Sequence, residues 1–222
     1  MDKLYYVFLY FFFYSVIGYI CEVFYVYLGS KKWVNRGFLH GPYIPIYGNG
    51  AMLVSFALMH VKKDSFIIFL VGLILCSLLE YVTSYVMEKV FHNRWWDYSD
   101  RKYNLNGRVC LQNSVLFGLG SVVIMYVFNP LFFKLYNALS ADTIFYVTLV
   151  LFVIMLTDFL ISFFEAIKVS KFTTHLDKLE EYLKSNETAK KIKIRLMEAY
   201  PYLVKRNNKL LDKLKKLKNS NK

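Results

Sequence analysis

The chain has 222 residues, of which 56% are hydrophobic and 19% are aromatic, and it carries a formal net charge of +12. This composition is too apolar for an ordinary soluble domain and predicts an all-α, polytopic helical membrane protein. The charge is concentrated in residues 166–222, where 16 basic and 6 acidic side chains leave a net +10. Since the remaining chain is nearly neutral, we expect no nucleic-acid partner.

Five apolar runs are long enough to cross a bilayer, for which about 20 residues suffice. They cover residues 4–28, 43–61, 66–91, 114–136 and 143–167. We expect them to form one transmembrane domain, 1–167, followed by a basic tail of amphipathic helices, 168–222, that lies on anionic lipid or on a partner. A partly disordered, solubilising tail is the alternative. The first run is too long for a cleavable signal and is expected to be a transmembrane helix.

The connections between these runs predict the orientation of the chain, because Lys and Arg concentrate in cytoplasmic loops. One alternating set of connections carries eight basic residues: Lys31, Lys32, Arg36, Lys89, Arg94, Arg101, Lys102 and Arg108. The other set carries four: Lys3, Lys62, Lys63 and Lys134. We therefore expect a multi-pass cell-membrane protein with its N-terminus outside and its C-terminal tail in the cytoplasm.

Acidic side chains lie inside three of the runs. Glu22 lies in the cytoplasmic half of the first, Glu80 lies deep in the third and Asp158 lies deep in the fifth. A carboxylate at membrane depth is costly and is by default a functional candidate. The alternative for Glu22 is a structural pair with an arginine, and Asp158 either extends the same polar cluster or pairs on its own. The candidate partners of Glu80 are Arg36, His40 and Arg108.

The segment at residues 31–50 joins the first two runs and is rich in Gly and Pro. Pro42 and Pro45 either delay the helix start until after residue 45 or kink the helix. We therefore expect the second run to begin as an irregular or re-entrant stretch, which membrane depth tolerates only where it is buried in protein or lines a cavity. Its polar side chains are Asn35, Arg36, His40, Tyr43 and Tyr47.

The loop at residues 92–112 combines two adjacent tryptophans with charged and amide side chains. One interpretation is an interfacial anchor, because Trp and Tyr concentrate at the membrane boundary. We favour a folded loop that forms one wall of a pocket, in which Asp97 and Arg108 hold the shape and Trp95 or Trp96 covers the ligand. The fourth run has a small-residue face typical of close helix packing, formed by Ser114, Gly118 and Ser121.

Both polar segments and the cytoplasmic halves of the first and third runs face the same leaflet, so they are expected to meet in one cytoplasm-facing pocket for a small polar or amphiphilic molecule. The candidate ligand-binding residues are Glu22, Asn35, Arg36, His40, Tyr43, Glu80, Trp95, Trp96, Asp97, Asn104, Asn106 and Arg108. The spacing of the cysteines and histidines predicts no disulfide framework and no metal site, and we expect no cofactor. No ATP-binding, protease or hydrolase motif occurs in the 222-residue sequence.

The two polar segments resemble the signature of a known family. The blocks NRGFLHGPYIPIYGNG (35–50), RWWDYSD (94–100) and NLNGR (104–108), together with Glu22 and the pair Glu80-Tyr81, are similar to the ABC-transporter type IV, or CmpB-type, membrane family. The resemblance covers about residues 10–165. It implies a membrane subunit that works with a separate ATPase.

Three functions remain open from the sequence. The first is a permease-like transport subunit. The second is an intramembrane enzyme acting on a lipid or isoprenoid head group, with Glu22 or Glu80 as base, His40 as acid or base, and Arg36 and Arg108 holding phosphate. The third is a non-catalytic membrane scaffold. Transport is preferred because of the family resemblance. The expected partners are membrane lipid, a separate ATPase subunit and a second copy of the chain.

Overall fold

The computed structural model describes residues 2–31, 33, 35, 37–59, 64–91 and 94–173. These residues are mostly helical, which confirms the predicted all-α class. In chain order the elements are α1 (Asp2–Ser30), α2 (Pro45–Ala57), α3 (Ser65–Phe91), β1 (Asn104–Leu105), β2 (Val109–Cys110), α4 (Leu111–Val123), a π-helical turn (Ile124–Phe128), α5 (Asn129–Asn137) and α6 (Ala141–Thr173). Most of the predicted tail, residues 174–222, lies outside the described residues.

Within the described residues, four continuous stretches are long and apolar enough to cross a membrane: Lys3–Gly29, Ser65–Phe91, Leu111–Asn137 and Ala141–Ile167. They correspond to the first, third, fourth and fifth predicted runs. Their apolar side chains point mostly outward, since only 17% of the apolar window in Ser65–Phe91 is buried within the protein. A helix that is apolar on all sides and exposed on most of them requires lipid around it.

The helices run alternately between two ends of the bundle. At one end, which we call the hairpin end, α3, the loop after it and α6 share a buried cluster: Phe91, Trp95 and Ala166. At the opposite end α1, α2 and α5 share another: Leu9, Tyr10, Tyr14, Ala51 and Phe132. Hence α1, α3 and α6 run towards the hairpin end, whereas α2 and the α4–α5 passage run away from it. The N-terminus and the end of α6 therefore lie at opposite ends.

The second passage differs from the predicted run 43–61, because its helix covers Pro45–Ala57. A helix of 13 residues is about 20 Å long, which is less than the hydrocarbon thickness of about 30 Å. The Ile44 N–H donates to the Ser15 carbonyl in the middle of α1 (2.9 Å). Since Ser15 lies about 22 Å from Ser30 along the helix axis, the chain returns halfway into the bundle before α2 begins.

The described residues between α1 and α2 are irregular, as the two prolines predict. Part of this segment is enclosed by protein, whereas Trp33, His40 and Pro42 are exposed. Leu39 is fully buried and Tyr43 is 4% exposed, and both pack between α1 and Met155 of α6. This placement shields the chain at Leu39 and Tyr43 from lipid, as non-helical backbone at membrane depth requires.

Small residues allow α3 and α4 to pack closely. A Cβ atom on Gly72 would overlap the Ser121 side chain, and one on Gly118 would overlap the Phe69 ring. The predicted small-residue face of the fourth run therefore forms a helix–helix contact, in which close backbone approach replaces the hydrophobic driving force that lipid does not provide.

A buried amide holds α5 against α1 at the end opposite the hairpin. The hydroxyl groups of Tyr10 and Tyr14 both donate to Asn129 Oδ1, at 2.7 and 2.6 Å. Asn129 follows the π-helical turn and precedes Pro130, which has no N–H to donate and cannot continue a regular ladder. The wider turn accommodates this interruption within one continuous membrane passage.

Candidate functional site

The loop between α3 and α4 is a folded hairpin. Its strands pair Asn104 with Cys110 and Leu105 with Val109, and the Arg108 N–H closes the turn on the Leu105 carbonyl (3.0 Å). The two residues at the tip have left-handed backbone, Asn106 with φ 54° and Gly107 with φ 69°. Asn-Gly is the sequence most typical of such a turn. The hairpin therefore gives the predicted pocket wall a defined shape.

Charged side chains attach the hairpin to α3. Glu88 Oε2 accepts hydrogen bonds from Arg108 Nη2 (2.6 Å) and from Arg94 Nε (3.1 Å). Arg108 Nη1 also donates to Ser84 (3.2 Å), and the guanidinium lies over the Tyr85 ring (5.4 Å to the ring centre). Arg108 is 8% exposed. The Arg108 guanidinium is therefore paired within the protein, and this pairing disfavours a role for Arg108 in holding a phosphate.

The remaining candidates in this loop also make contacts that shape it. Asp97 Oδ1 accepts from the N–H and the hydroxyl of Ser99 (2.9 and 2.6 Å). Asn104 Nδ2 donates to the Arg101 carbonyl (2.7 Å). Asn106 Nδ2 donates to the Tyr81 hydroxyl of α3 (2.9 Å). These hydrogen bonds satisfy polar groups of a loop that has little other regular structure.

Both tryptophans pack against other parts of the protein, whereas a tryptophan that covers a ligand would have one face free. Trp95 is 5% exposed. It lies edge-to-face against Phe38, with ring centres 5.5 Å apart. Phe38 belongs to the stretch between α1 and α2, residues 31–44, which we call the re-entrant segment. Trp96 packs against the same cluster, and its Nε1 donates to the Arg108 carbonyl (3.0 Å). Together they join the hairpin to the re-entrant segment and to α6.

His40 contacts polar side chains of α6, and together they form a second polar cluster, which we call the His40 group. Its Nδ1 lies 3.1 Å from Asp158 and 2.8 Å from Ser162, and its Nε2 lies 3.2 Å from Glu165. Asp158 Oδ2 also accepts from the Gly41 N–H and the Tyr43 hydroxyl, both at 2.8 Å. Asp158 and Ser162 share the same ring nitrogen of His40, an arrangement unlike a Ser-His-Asp relay, in which the imidazole contacts them through opposite nitrogens.

A third group combines two carboxyl groups with two phenols, and we call it the acid–phenol cluster: Glu22, Tyr47, Glu80 and Tyr98. The Tyr47 hydroxyl donates to Glu22 Oε2 (2.7 Å), and the Tyr98 hydroxyl donates to Glu80 Oε1 (3.1 Å). α2, which carries Tyr47, packs against both α1 and α3 and so brings the two carboxyl-bearing helices together. Burial raises the pKa of the Tyr98 phenol and the Glu80 carboxyl raises it further, so Tyr98 remains a donor. α1, α2, α3 and the loop each supply one member.

Gly18 makes the approach of Tyr47 to Glu22 possible. A Cβ atom at Gly18 would overlap the Tyr47 ring. Gly18 and Glu22 lie one turn apart on the same face of α1, so the ring crosses the helix at the glycine and its hydroxyl reaches the carboxylate. Gly18 and Glu22 therefore lie on the face of α1 against which α2 packs.

The structure distributes the predicted ligand-binding residues over three polar groups rather than one. Asn35 belongs to the same loop as His40. Its Oδ1 accepts from the Gly37 N–H and its Nδ2 donates to the His40 carbonyl. Arg36 lies outside the described residues. An open cleft of about 620 Å³, lined by residues 100–103, 111, 112, 115 and 116, contains none of the predicted side chains. No group of three His, Cys, Asp or Glu side chains in the described part of the chain is arranged to hold a metal ion.

Among the described residues the Glu80 carboxyl accepts a hydrogen bond from Tyr98. Tyr98 is not one of its three expected partners, of which Arg36 lies outside the described residues. Asp158, Ser162 and Glu165 of α6 were left out of the candidate set, although they lie on one helix face at i, i+4 and i+7. Tyr47 and Tyr98 were also left out. Their only sequence signal is their position within the two polar segments.

The four long apolar helices and the re-entrant second passage define a multi-pass integral membrane protein with polar groups at its hairpin end. A family model described as "Putative ABC-transporter type IV" matches residues 9–163, and the chain belongs to this family. The resemblance inferred from residues 35–50 and 94–108 is therefore confirmed. No curated protein and no solved structure matches the chain.

Proposed function

We propose that this protein is the membrane subunit of a transport system, and that it binds a small polar or amphiphilic molecule at the acid–phenol cluster and works with a separate ATPase subunit. Family membership supports the transport class. These 222 residues contain no ATP-binding motif, so the proposal places ATP hydrolysis in another chain. The hairpin end faces the cytoplasm of the cell membrane, as the distribution of Lys and Arg predicts.

The observation that carries the proposal is the placement of Glu22 and Glu80. Both lie in spanning helices and accept hydrogen bonds from tyrosines, so neither carboxyl group is explained as half of an ion pair with Lys or Arg among the described residues. Ionisable groups at membrane depth that lack such a pairing mark substrate or ion pathways. The re-entrant segment that brings Tyr47 to this depth is the kind of broken passage on which transporters build binding sites.

The enzyme alternative receives less support from the same contacts. It requires Arg108 to hold a phosphate, whereas that guanidinium is bound to Glu88 and Ser84. It also requires His40 to be available as an acid or base, whereas both ring nitrogens contact α6 side chains. The scaffold alternative explains the hairpin contacts and leaves the acid–phenol cluster without a role.

The test is purification of the tagged full-length chain from its native host, followed by measurement of ATP hydrolysis and of solute flux in reconstituted vesicles. We expect an ATPase subunit to co-purify, and we expect Glu22→Gln to abolish solute-dependent ATP hydrolysis while the complex still assembles. Asp142→Asn is the matched control, because Asp142 is exposed at the opposite end of the bundle. A purified chain that lacks an ATPase partner and converts a lipid head group by itself would refute transport.

A further inference from the structure

We infer that the acid–phenol cluster binds a primary ammonium group. This inference rests on the proposed function and specifies the chemistry of the molecule bound. The main observation is one oxygen atom of Glu80. Glu80 is 7% exposed, and while its Oε1 accepts from Tyr98, its Oε2 is buried and has no hydrogen-bond partner among the described residues. A buried acceptor without a partner loses the hydration it had in the unfolded chain and gains nothing in return.

The charge of the acid–phenol cluster also favours a cation. Glu22 and Glu80 place two acidic groups in one cluster, and their hydrogen bonds come from neutral phenols. Three basic side chains at the hairpin end are engaged elsewhere, since Arg94 and Arg108 bind Glu88 and His40 contacts Glu165. A cation is therefore the ligand that would complete both the charge and the hydrogen bonding of the cluster.

The acceptors of the cluster also restrict the shape of that cation. A primary ammonium is a compact charge with three donors and no acceptor. The cluster contains four kinds of acceptor, namely the Glu80 Oε2, the Glu22 carboxyl and the phenol oxygens of Tyr47 and Tyr98, and aromatic rings attract cations through cation–π interactions. A quaternary ammonium has no N–H to donate to Glu80 Oε2. A guanidinium presents its donors in a flat fork that suits one carboxylate.

The cluster is built by four separate elements. α1, α2, α3 and the hairpin loop each contribute a side chain, and Gly18 removes the Cβ that would exclude Tyr47. Tyr98 is fixed in turn by its N–H bond to the Gly107 carbonyl (2.7 Å). A site assembled from residues that are far apart in the chain, such as Glu22 and Tyr98, depends on the complete fold rather than on one helix.

Primary ammonium groups reach a membrane protein from two sources, free amines in water and lipids with an ethanolamine head group. The experiment separates them with the full-length chain in nanodiscs. In the first arm, native mass spectrometry compares retention of phosphatidylethanolamine with that of phosphatidylcholine, whose ammonium is fully methylated. In the second arm, calorimetry measures binding of methylammonium and of its permethylated counterpart, tetramethylammonium.

We expect a primary-ammonium probe to bind in at least one arm and its fully methylated counterpart to bind about tenfold more weakly or not at all, the difference that one charged hydrogen bond makes. Glu80→Gln should weaken binding by about tenfold or more on the same basis, and Tyr98→Phe should weaken it less, because the carboxylate remains. Asp142→Asn should bind as the wild type does.

Binding in the first arm alone identifies an aminolipid, and binding in the second alone identifies a soluble amine. Equal binding of primary-ammonium and fully methylated probes, no binding in either arm, or an unchanged affinity in Glu80→Gln would each overturn the inference. If Glu80→Gln does not fold, Glu22→Gln takes its place. Since neither arm uses ATP or flux, failure here leaves co-purification of an ATPase, and with it the proposed function, intact.

Discussion

Asp158 is the residue through which α6 holds the re-entrant segment, and its replacement by asparagine tests this arrangement. The carboxylate accepts the N–H groups of His40 (3.0 Å) and Gly41 (2.8 Å) and the hydroxyl of Tyr43 (2.8 Å). It also contacts the His40 ring and the Ser162 hydroxyl. An amide has the same shape, but its nitrogen donates and cannot accept. One of the two oxygen positions therefore loses its partners whichever way the amide is turned.

The expected loss follows from the hydrogen bonds at that oxygen. If the introduced amide keeps the bonds made at Oδ1, the Gly41 N–H and the Tyr43 hydroxyl lose their acceptor. Each hydrogen bond to a charged group contributes roughly 1.5–3 kcal/mol. The side chain of Asp158 is 12% exposed, so water replaces little of what is lost. We therefore expect Asp158→Asn to lower the free energy of unfolding by about 3–5 kcal/mol.

Steric trapping in bicelles measures this free energy for a membrane protein without removing it from lipid. Thr157→Ala is the matched control at the neighbouring position. Thr157 is exposed, and its hydroxyl bonds the carbonyl one turn earlier in the same helix (2.8 Å), so its loss should change stability by less than about 0.5 kcal/mol. If Asp158→Asn falls within about 1 kcal/mol of the wild type, Asp158 does not anchor the segment and the reasoning is refuted.

Three further predictions concern the rest of the bundle. Asn129→Ala leaves the buried Tyr10 and Tyr14 hydroxyls without their shared acceptor and should lower the free energy of unfolding by about 2–4 kcal/mol in the same assay; an unchanged value would mean that water or Ser55 replaces the amide. Gly107→Ala should loosen the hairpin, because φ is +69° and a Cβ would overlap Asp97 and Ser99. Faster proteolysis within residues 94–110 is the expected sign, whereas Gly120→Ala, which meets open space, should be cut at the wild-type rate. In a cysteine-free chain, Ser99→Cys should react with impermeant maleimide only from the cytoplasmic side and Ser140→Cys only from outside; the reverse pattern would overturn the predicted orientation.

Residues 31–50 illustrate how far a local rule extends. Pro42 and Pro45 predict where α2 begins, because the effect of proline on the backbone depends only on its neighbours in the chain. The depth at which α2 begins does not follow from the prolines. It is set by the bond from Ile44 to Ser15 and by the burial of Leu39 and Tyr43 between α1 and α6.

The candidate site shows the same limit. Glu22 and Glu80 were identified from their depth in apolar runs, since the cost of a carboxylate in a membrane is independent of the fold. The pair Asn106-Gly107 between two short extended stretches is another local signal, from which the hairpin turn is predictable without the fold. The partners of His40 could not be identified this way, because Asp158 lies 118 residues away and no spacing rule relates the two.

The sequence by itself determined that this chain enters a membrane, which stretches form its helices and which family it belongs to, because hydropathy, helix period and contiguous motifs are local properties of the chain. Only the tertiary structure decided the pairings: Glu80 with Tyr98, Arg108 with Glu88, and His40 with Asp158. Spacing specifies the face of a helix on which a side chain lies. It does not specify which neighbour that face meets, and this depends on the packing of all the passages together.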